Sequence, residues 1–201
     1  MNHTLPLPAP ARRVRRIVLA GLAIAGVVIA APGVRRLFVA AAPPVPWTTL
    51  GEADGVVPDG APVSVWDETP AVGKLDADLL DALRRAAKAA EADGVQLRVN
   101  SGWRSPEYQE ELLRRAVARH GSRQEAARWV ATPETSPHVA GEAVDIGPAR
   151  AAAWLSAHGA AYGLCQIYRN EPWHYELRPD AVRHGCPPMY PDPSEDPRMR
   201  P

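Results

Sequence analysis

Eighteen consecutive residues, Ile17 to Val34, carry no charge, and arginines flank them: Arg12, Arg13, Arg15 and Arg16 before, Arg35 and Arg36 after. As a helix rising ~1.5 Å per residue the run would be ~27 Å long, close to the ~30 Å hydrocarbon core of a bilayer. It reads as an uncleaved anchor or as a long signal-peptide core, with Ala40-Ala41-Ala42 suited to cleavage; a buried helix of a soluble domain is the third alternative. The arginine excess before the run places the N-terminus inside. Either membrane reading exports residues 43–201. The expected organisation is a basic segment with anchor or signal over 1–42, a Pro/Gly-rich linker over 43–73, a domain over 74–186 and a loose Pro-rich tail over 187–201. The linker is expected to pack on the domain in part, through Trp47 or Trp66.

Charge is divided in the same way. Residues 1–42 hold six arginines and no acid, so all 23 acids lie in the remainder and leave it with about six net negative charges. An acidic body argues against nucleic acid as a partner, because phosphate recognition needs a basic surface. A monomer is expected. The two cysteines, Cys165 and Cys186, are free to form a disulfide in an exported chain. Such a bond would close a loop of about 20 residues and stabilise the fold by roughly 3 kcal/mol in the chain-entropy picture. Two unpaired buried thiols are the alternative.

Hydrophobic periodicity then sets the elements. Leu79, Leu80, Leu83, Ala86, Ala87 and Ala90 share one face of a helix over Asp76–Asp93, stopped by Gly94. Val95, Leu97 and Val99 alternate as a strand. Ser105 caps a second helix, with Pro106 at its first position, running to about His120. Ser122 and Glu125 have capping-box spacing for a third helix through Trp129. Pro133 and Pro137 bracket a loop. A strand at Val144 and Ile146, a helix over Ala149–His158, and two strands over Leu164–Tyr168 and Trp173–Leu177 complete the pattern. Helices interspersed with short strands, the last two forming a hairpin, predict an α+β fold with a small, mainly antiparallel sheet.

Chemistry concentrates in SPHVAGEAVDIG, residues 136–147. Asp145 stands between Val144 and Ile146, where burial of an acid is costly unless it is paired or ligating. His138 lies seven residues before it. A catalytic zinc takes three protein ligands and leaves a position for water, so His138 and Asp145 call for a third donor, and His174 in NEPWHYE is the candidate. Glu171, three residues earlier, would be the base that collects a water proton. It reaches the same side as His174 only if the chain turns at Asn170–Pro172, since residues three apart on a straight strand point to opposite faces. Singly, each has a plainer reading: His138 as an ordinary hydrogen-bonded histidine, Asp145 in a salt bridge to an arginine. His3, His120, His158 and His184 have no partners at useful spacing and are expected at the surface. Trp103 and Trp173 are expected to pack in the core rather than line a cleft. Glu142 is expected to be exposed, and Glu176 is left open as a group supporting a ligand.

The ordered stretches SGWRSPEYQ, SPHVAGEAVDI and YGLCQIYRNEPWHYE resemble the zinc D-alanyl-D-alanine carboxypeptidase family, the VanY-like enzymes that trim peptidoglycan stem peptides. The family pattern S-x-H-x-x-G-x-A-x-D, then E-x-x-H, preceded by Ser-Gly-aromatic-Arg-Ser, is met over about residues 75–178. The resemblance implies the Hedgehog/DD-peptidase-like fold, a Zn²⁺ held by His138, Asp145 and His174, and Glu171 as general base. It implies Arg104 and Ser136 on the substrate's terminal carboxylate, with Gln109 nearby. Trp103 replaces the commoner tyrosine, and Pro137 precedes His138. The cysteine pair is not part of the motif. The implied partner is a peptidoglycan stem peptide, and the implied place is the bacterial cell membrane with the domain outside, or secretion if the leader is cleaved. Arg104 has its own warrant, because a guanidinium grips a free carboxylate through two parallel charge-assisted bonds. L,D-carboxypeptidase or endopeptidase activity on the same fold is the enzyme alternative. A zinc-containing binding domain is the non-catalytic one, and the presence of Glu171 speaks against it.

Overall fold

The structure, a computed structural model, describes residues 49–199. The apolar run at 17–34 and Trp47 lie outside them. Among the described residues no helix is long and apolar enough to cross a membrane.

Five strands form one sheet: β1 (Val63–Ser64), β2 (Arg98–Ser101), β3 (Ala143–Gly147), β4 (Leu164–Gln166) and β5 (His174–Leu177), in the order β1-β2-β3-β5-β4 with every neighbour antiparallel. The helices are α1 (Pro70–Gly73), α2 (Ala77–Ala92), α3 (Pro106–His120), α4 (Arg123–Ala126), α5 (Pro137–Ala140), α6 (Ala149–His158) and α7 (Ala181–His184). The α+β class and antiparallel sheet expected from the pattern are present.

Alternation along β3 and β5 divides the sheet into two faces. Val144, Ile146 and Tyr175 point into the main core, which is completed by Leu79, Leu83 and Ala86 of α2 and Leu155 of α6. Asp145, His174 and Glu176 occupy the alternate positions and belong to the other face. Helix α2 forms where the periodicity placed it. The Asp76 carboxylate accepts from the Asp78 and Leu79 amides at 3.0 and 3.1 Å, and Gly94 beyond its end takes φ +69°. Helix α3 begins at Pro106, with the Ser105 hydroxyl accepting from the Tyr108 amide at 3.1 Å.

Four local expectations are corrected. The strand read around Val95–Val99 is paired only over β2; Val95 and Leu97 are buried on the approach to it. The third helix stops at Ala126, because a cap sets where a helix starts and not how long it runs. The loop between Pro133 and Pro137 ends in α5, one helical turn with Pro137 at its first position. The linker 43–73, over its described part, belongs to the domain. β1 pairs with β2, Val65 and Val72 are buried in the core, and Asp54 accepts from both the Ser105 amide and hydroxyl. Trp66 lies half exposed, with the charged ends of Arg84 and Lys88 5.5 and 5.7 Å from its ring. A two-residue strand offers no period to read, which is why the segment looked like a spacer.

The tail expected to be loose is also packed. Tyr190 bridges to Tyr168, and Asp192, Pro193 and Asp196 are buried. The Cys165–Cys186 disulfide is formed and ties the tail to β4.

Candidate active site

Register brings the site together. Asp145 on β3 is paired directly with His174 on β5, so the two side chains emerge side by side on one face. Between Val99 and Ser101 the pairing of β2 with β3 shifts, which sets Ser101 opposite Asp145 and re-aims the following residues. Those residues are Gly102-Trp103-Arg104, and their backbone is pinned: the Trp103 amide donates to Ala71 O at 2.9 Å and the Arg104 amide to His138 O at 3.2 Å. A Cβ on Gly102 would lie 1.9 Å from Ala71 O, so no other residue fits without moving α1. Helix α5 carries His138 and ends at Gly141, whose φ of +80° lets the chain turn into β3.

His138 Nε2, Asp145 Oδ1 and His174 Nδ1 converge, with separations of 3.2 Å (His138–His174), 3.2 Å (His174–Asp145) and 3.4 Å (His138–Asp145). All three residues are buried, and among the described residues they form a group able to hold a metal ion. The opposite ring nitrogens are already committed. His138 Nδ1 donates to Gly102 O at 2.8 Å, and His174 Nε2 donates to the Glu176 carboxylate at 3.2 Å. These partners place one proton of each ring away from the cluster. The neutral rings therefore present two lone pairs, beside an anionic oxygen, to one point. Burial and the nearby Arg104 charge lower the His138 pKa. Burial also disfavours charged His174, but its bonds to Asp145 and Glu176 outweigh that and raise it to about 9. Burial pushes Asp145 up, yet His138, His174 and Arg104 hold it well below the usual carboxylate range.

The other carboxylate oxygen of Asp145 accepts from Arg104 Nη2 at 2.8 Å. The salt bridge to an arginine and the convergence with histidines, two alternatives for Asp145 in sequence, coexist on its two oxygens. Arg104 also donates from Nε to Ser101 Oγ at 2.8 Å and from Nη1 to Gln109 Oε1 at 3.2 Å. Gln109 is buried, and its amide nitrogen donates to Ala131 O at 2.9 Å, which anchors the side chain whose oxygen holds the arginine. A guanidinium has five N–H donors; one on each terminal nitrogen is left over. Ser136 Oγ is buried with no partner and borders the same cleft.

Glu171 reaches the cluster because the chain does turn before β5: the His174 amide donates to Glu171 O at 3.0 Å. Its carboxylate lies 3.9 Å from His174 Nδ1. Burial raises its pKa to about 7, against the pull of His174. In metal-free protein the Glu171 carboxyl carbon, followed by NMR, should titrate near 7, protonated below that pH and charged above it. A midpoint at the ordinary ~4.3 would remove the case for a desolvated carboxyl.

The three converging residues, Glu171, Arg104, Gln109 and Ser136 border one cleft of about 590 Å³, within the range of small-ligand sites. Trp173, expected in the core, is instead 40% exposed on the cleft wall. Trp103 is half buried under Lys74, whose ammonium lies 3.6 Å from the ring centre. Glu142, His120, His158 and His184 are exposed as expected. Three features are not legible in the sequence: the tail residues Pro193 and Met199 in the cleft wall, the His120–Trp129 stack that also lines it, and Arg198 beside Glu176. Pro193, Met199 and Arg198 belong to no long periodic element, and nothing in the sequence pairs His120 with Trp129.

The model of the VanY D-alanyl-D-alanine carboxypeptidase family matches residues 73–180, more than half of the chain. The chain belongs to the VanY family. Against the D-alanyl-D-alanine carboxypeptidase of Enterococcus faecalis this VanY-family chain is 32% identical in an alignment of 127 positions that covers 51% of the chain and 47% of that protein. It therefore spans about half the length of the curated relative it matches. Among solved structures it is similar to VanYB in complex with D-alanine-D-alanine, at 29% identity and a TM-score of 0.51, over 55% of this chain and 74% of that one. It shares its fold with the LdcB LD-carboxypeptidase, at 24% identity and a TM-score of 0.50, over 66% and 72% of the two chains. These are structures of the Hedgehog/DD-peptidase-like fold. Of the described VanY-family chain, residues 49–72 and 181–199 lie outside the family match.

Proposed function

We propose that this protein is a zinc-dependent carboxypeptidase that removes the terminal D-alanine from peptidoglycan stem peptides. The convergence of His138 Nε2, Asp145 Oδ1 and His174 Nδ1 carries this reading. Ligand atoms arranged tetrahedrally at ~2.0–2.1 Å from one zinc stand ~3.3 Å from one another, and the three separations here are 3.2, 3.2 and 3.4 Å. Two imidazoles and one carboxylate are also a donor set that leaves a position open in catalytic zinc sites.

Zinc held there would supply Lewis acidity and lower the pKa of a water from ~15.7 to ~7. The chain's own residues do the rest. Glu171 takes the proton of the attacking water and returns it to the leaving amine. The two remaining N–H groups of Arg104, with the unpartnered Ser136 hydroxyl, receive the substrate's terminal carboxylate. Gln109 and Ser101 keep the guanidinium plane fixed for it. Burial of the cluster keeps these interactions strong.

The same reading places the domain outside the cytoplasmic membrane, by anchor or by secretion. A formed disulfide supports that, since such bonds persist in oxidising compartments. The test is zinc content together with product masses from tripeptide, tetrapeptide and pentapeptide stems. One zinc per chain and loss of a single alanine from the pentapeptide alone are expected. Cleavage of the tetrapeptide would reassign the enzyme as an L,D-carboxypeptidase, and zinc-loaded protein inert on all three would overturn the reading.

A further inference from the structure

The tail beyond the family match closes a circuit behind the candidate metal site. Glu176, 1% exposed, accepts from His174 Nε2 and is itself held by two arginines. Arg178 Nη2 lies 2.6 Å from Oε2; Arg198 donates from Nη1 to Oε2 at 2.7 Å and from Nη2 to Oε1 at 3.2 Å. Arg198 is in turn gripped by Asp196, which is fully buried and accepts from the Tyr168 hydroxyl at 3.0 Å. The Tyr168 ring packs 5.1 Å from the His174 ring, so the path from His174 through Glu176, Arg198, Asp196 and Tyr168 returns to His174. The tail is fastened at several points along its length: the Cys165–Cys186 bond, the Tyr190 backbone on Ile167 and Arg169, and Asp192 on Arg128 at 3.0 Å. Its Pro193 and Met199 form part of the cleft wall.

We propose that the segment 187–199 is a positioning strap for the metal-binding histidine. Arg198 holds Glu176, and Glu176 holds the His174 ring with Nδ1 turned toward His138 and Asp145. A histidine ligand usually donates its other N–H to a carboxylate or carbonyl that fixes tautomer and ring orientation. Here that carboxylate sits between two strands on a buried face, where its charge needs compensation. Arg198 supplies two donors to it from a distant part of the chain. The strap touches no substrate atom in this role; it acts through Glu176.

This inference rests on the zinc reading above, and its test separates the two. The full chain and its Arg198→Ala, Arg198→Gln and Arg198→Lys variants are compared by zinc affinity in chelator competition and by kcat and KM on a stem pentapeptide. Arg198→Ala and Arg198→Gln should each weaken zinc binding about 10–100-fold, the usual effect of removing an outer partner. They should lower kcat and leave KM within about twofold. Arg198→Lys should recover part of the affinity, since it restores the charge and not the paired donors. In a Glu176→Gln background, Arg198→Ala should change zinc affinity by less than about threefold, because the residues act as one unit. Wild-type zinc affinity in both Arg198→Ala and Arg198→Gln overturns the strap. So does an undiminished loss in the Glu176→Gln background. A wild-type chain that holds no zinc overturns both the strap and the reading beneath it.

Discussion

Glu171→Gln should retain one zinc per chain and a near-normal KM, while kcat falls by ~10²–10⁴-fold or more, the range that a positioned base contributes. The substitution is close to isosteric, and the site tolerates an uncharged group there, since burial already favours the protonated carboxyl of Glu171. What glutamine lacks is the ability to accept a proton and hand it on. The metal donors are untouched, because His138, Asp145 and His174 make their mutual approach without Glu171. Metal analysis after dialysis and steady-state kinetics on the pentapeptide check both halves. A variant that keeps more than about a tenth of wild-type kcat would move the base elsewhere. A variant that loses zinc would make Glu171 a structural member of the cluster.

Arg104→Ala should collapse the preference for a free C-terminus. The wild type should cleave a free-acid pentapeptide far better than its C-terminal amide, and the variant should treat the two almost alike. Loss on the free acid should correspond to about 2–5 kcal/mol, the cost of removing one partner of a desolvated charge pair. Two effects are mixed in that loss. Arg104 also bonds Asp145 Oδ2 at 2.8 Å, so alanine leaves the second oxygen of that buried carboxylate unpaired and should weaken zinc as well. That second effect is common to acid and amide, and the ratio of their kcat/KM values removes it. An acid-to-amide ratio unchanged by the mutation would show that another group grips the carboxylate. A wild type indifferent to amidation would make the protein an endopeptidase.

Legibility of the site in the sequence followed a simple physical line. Asp145 stood out because period-2 alternation put an acid among residues that belong in a core, and the structure shows the acid on the opposite face from Val144 and Ile146. Glu171 joins the cluster, read from sequence, only on condition of a turn, and Pro172 points to one. Helices α2 and α3 were readable because caps and apolar spacing agreed. The linker and tail were misread for one shared reason. Their structural content lies in single contacts made over long sequence distances: β1 is two residues long, and Arg198 meets Glu176 across 22 positions. A large aromatic next to a strand reads as core, and nothing local says that Trp173 borders a cleft.

The pairing of Asp145 with His174 has a bearing on how the chain avoids misfolding. Side chains alternate across a sheet, so slipping β3 by one residue against a fixed core would turn its whole set over. Val144 and Ile146 would then be stranded in the polar cleft, and Asp145 would be driven into the company of Leu79, Leu83 and Leu155 without Arg104 to answer its charge. The Asp145 carboxylate and the apolar residues beside it thus penalise the same error from opposite sides. Chemistry placed at a central strand acts as a proofreader of the sheet, and neutralising Asp145 for any purpose would weaken the discrimination against a misaligned strand along with the site itself.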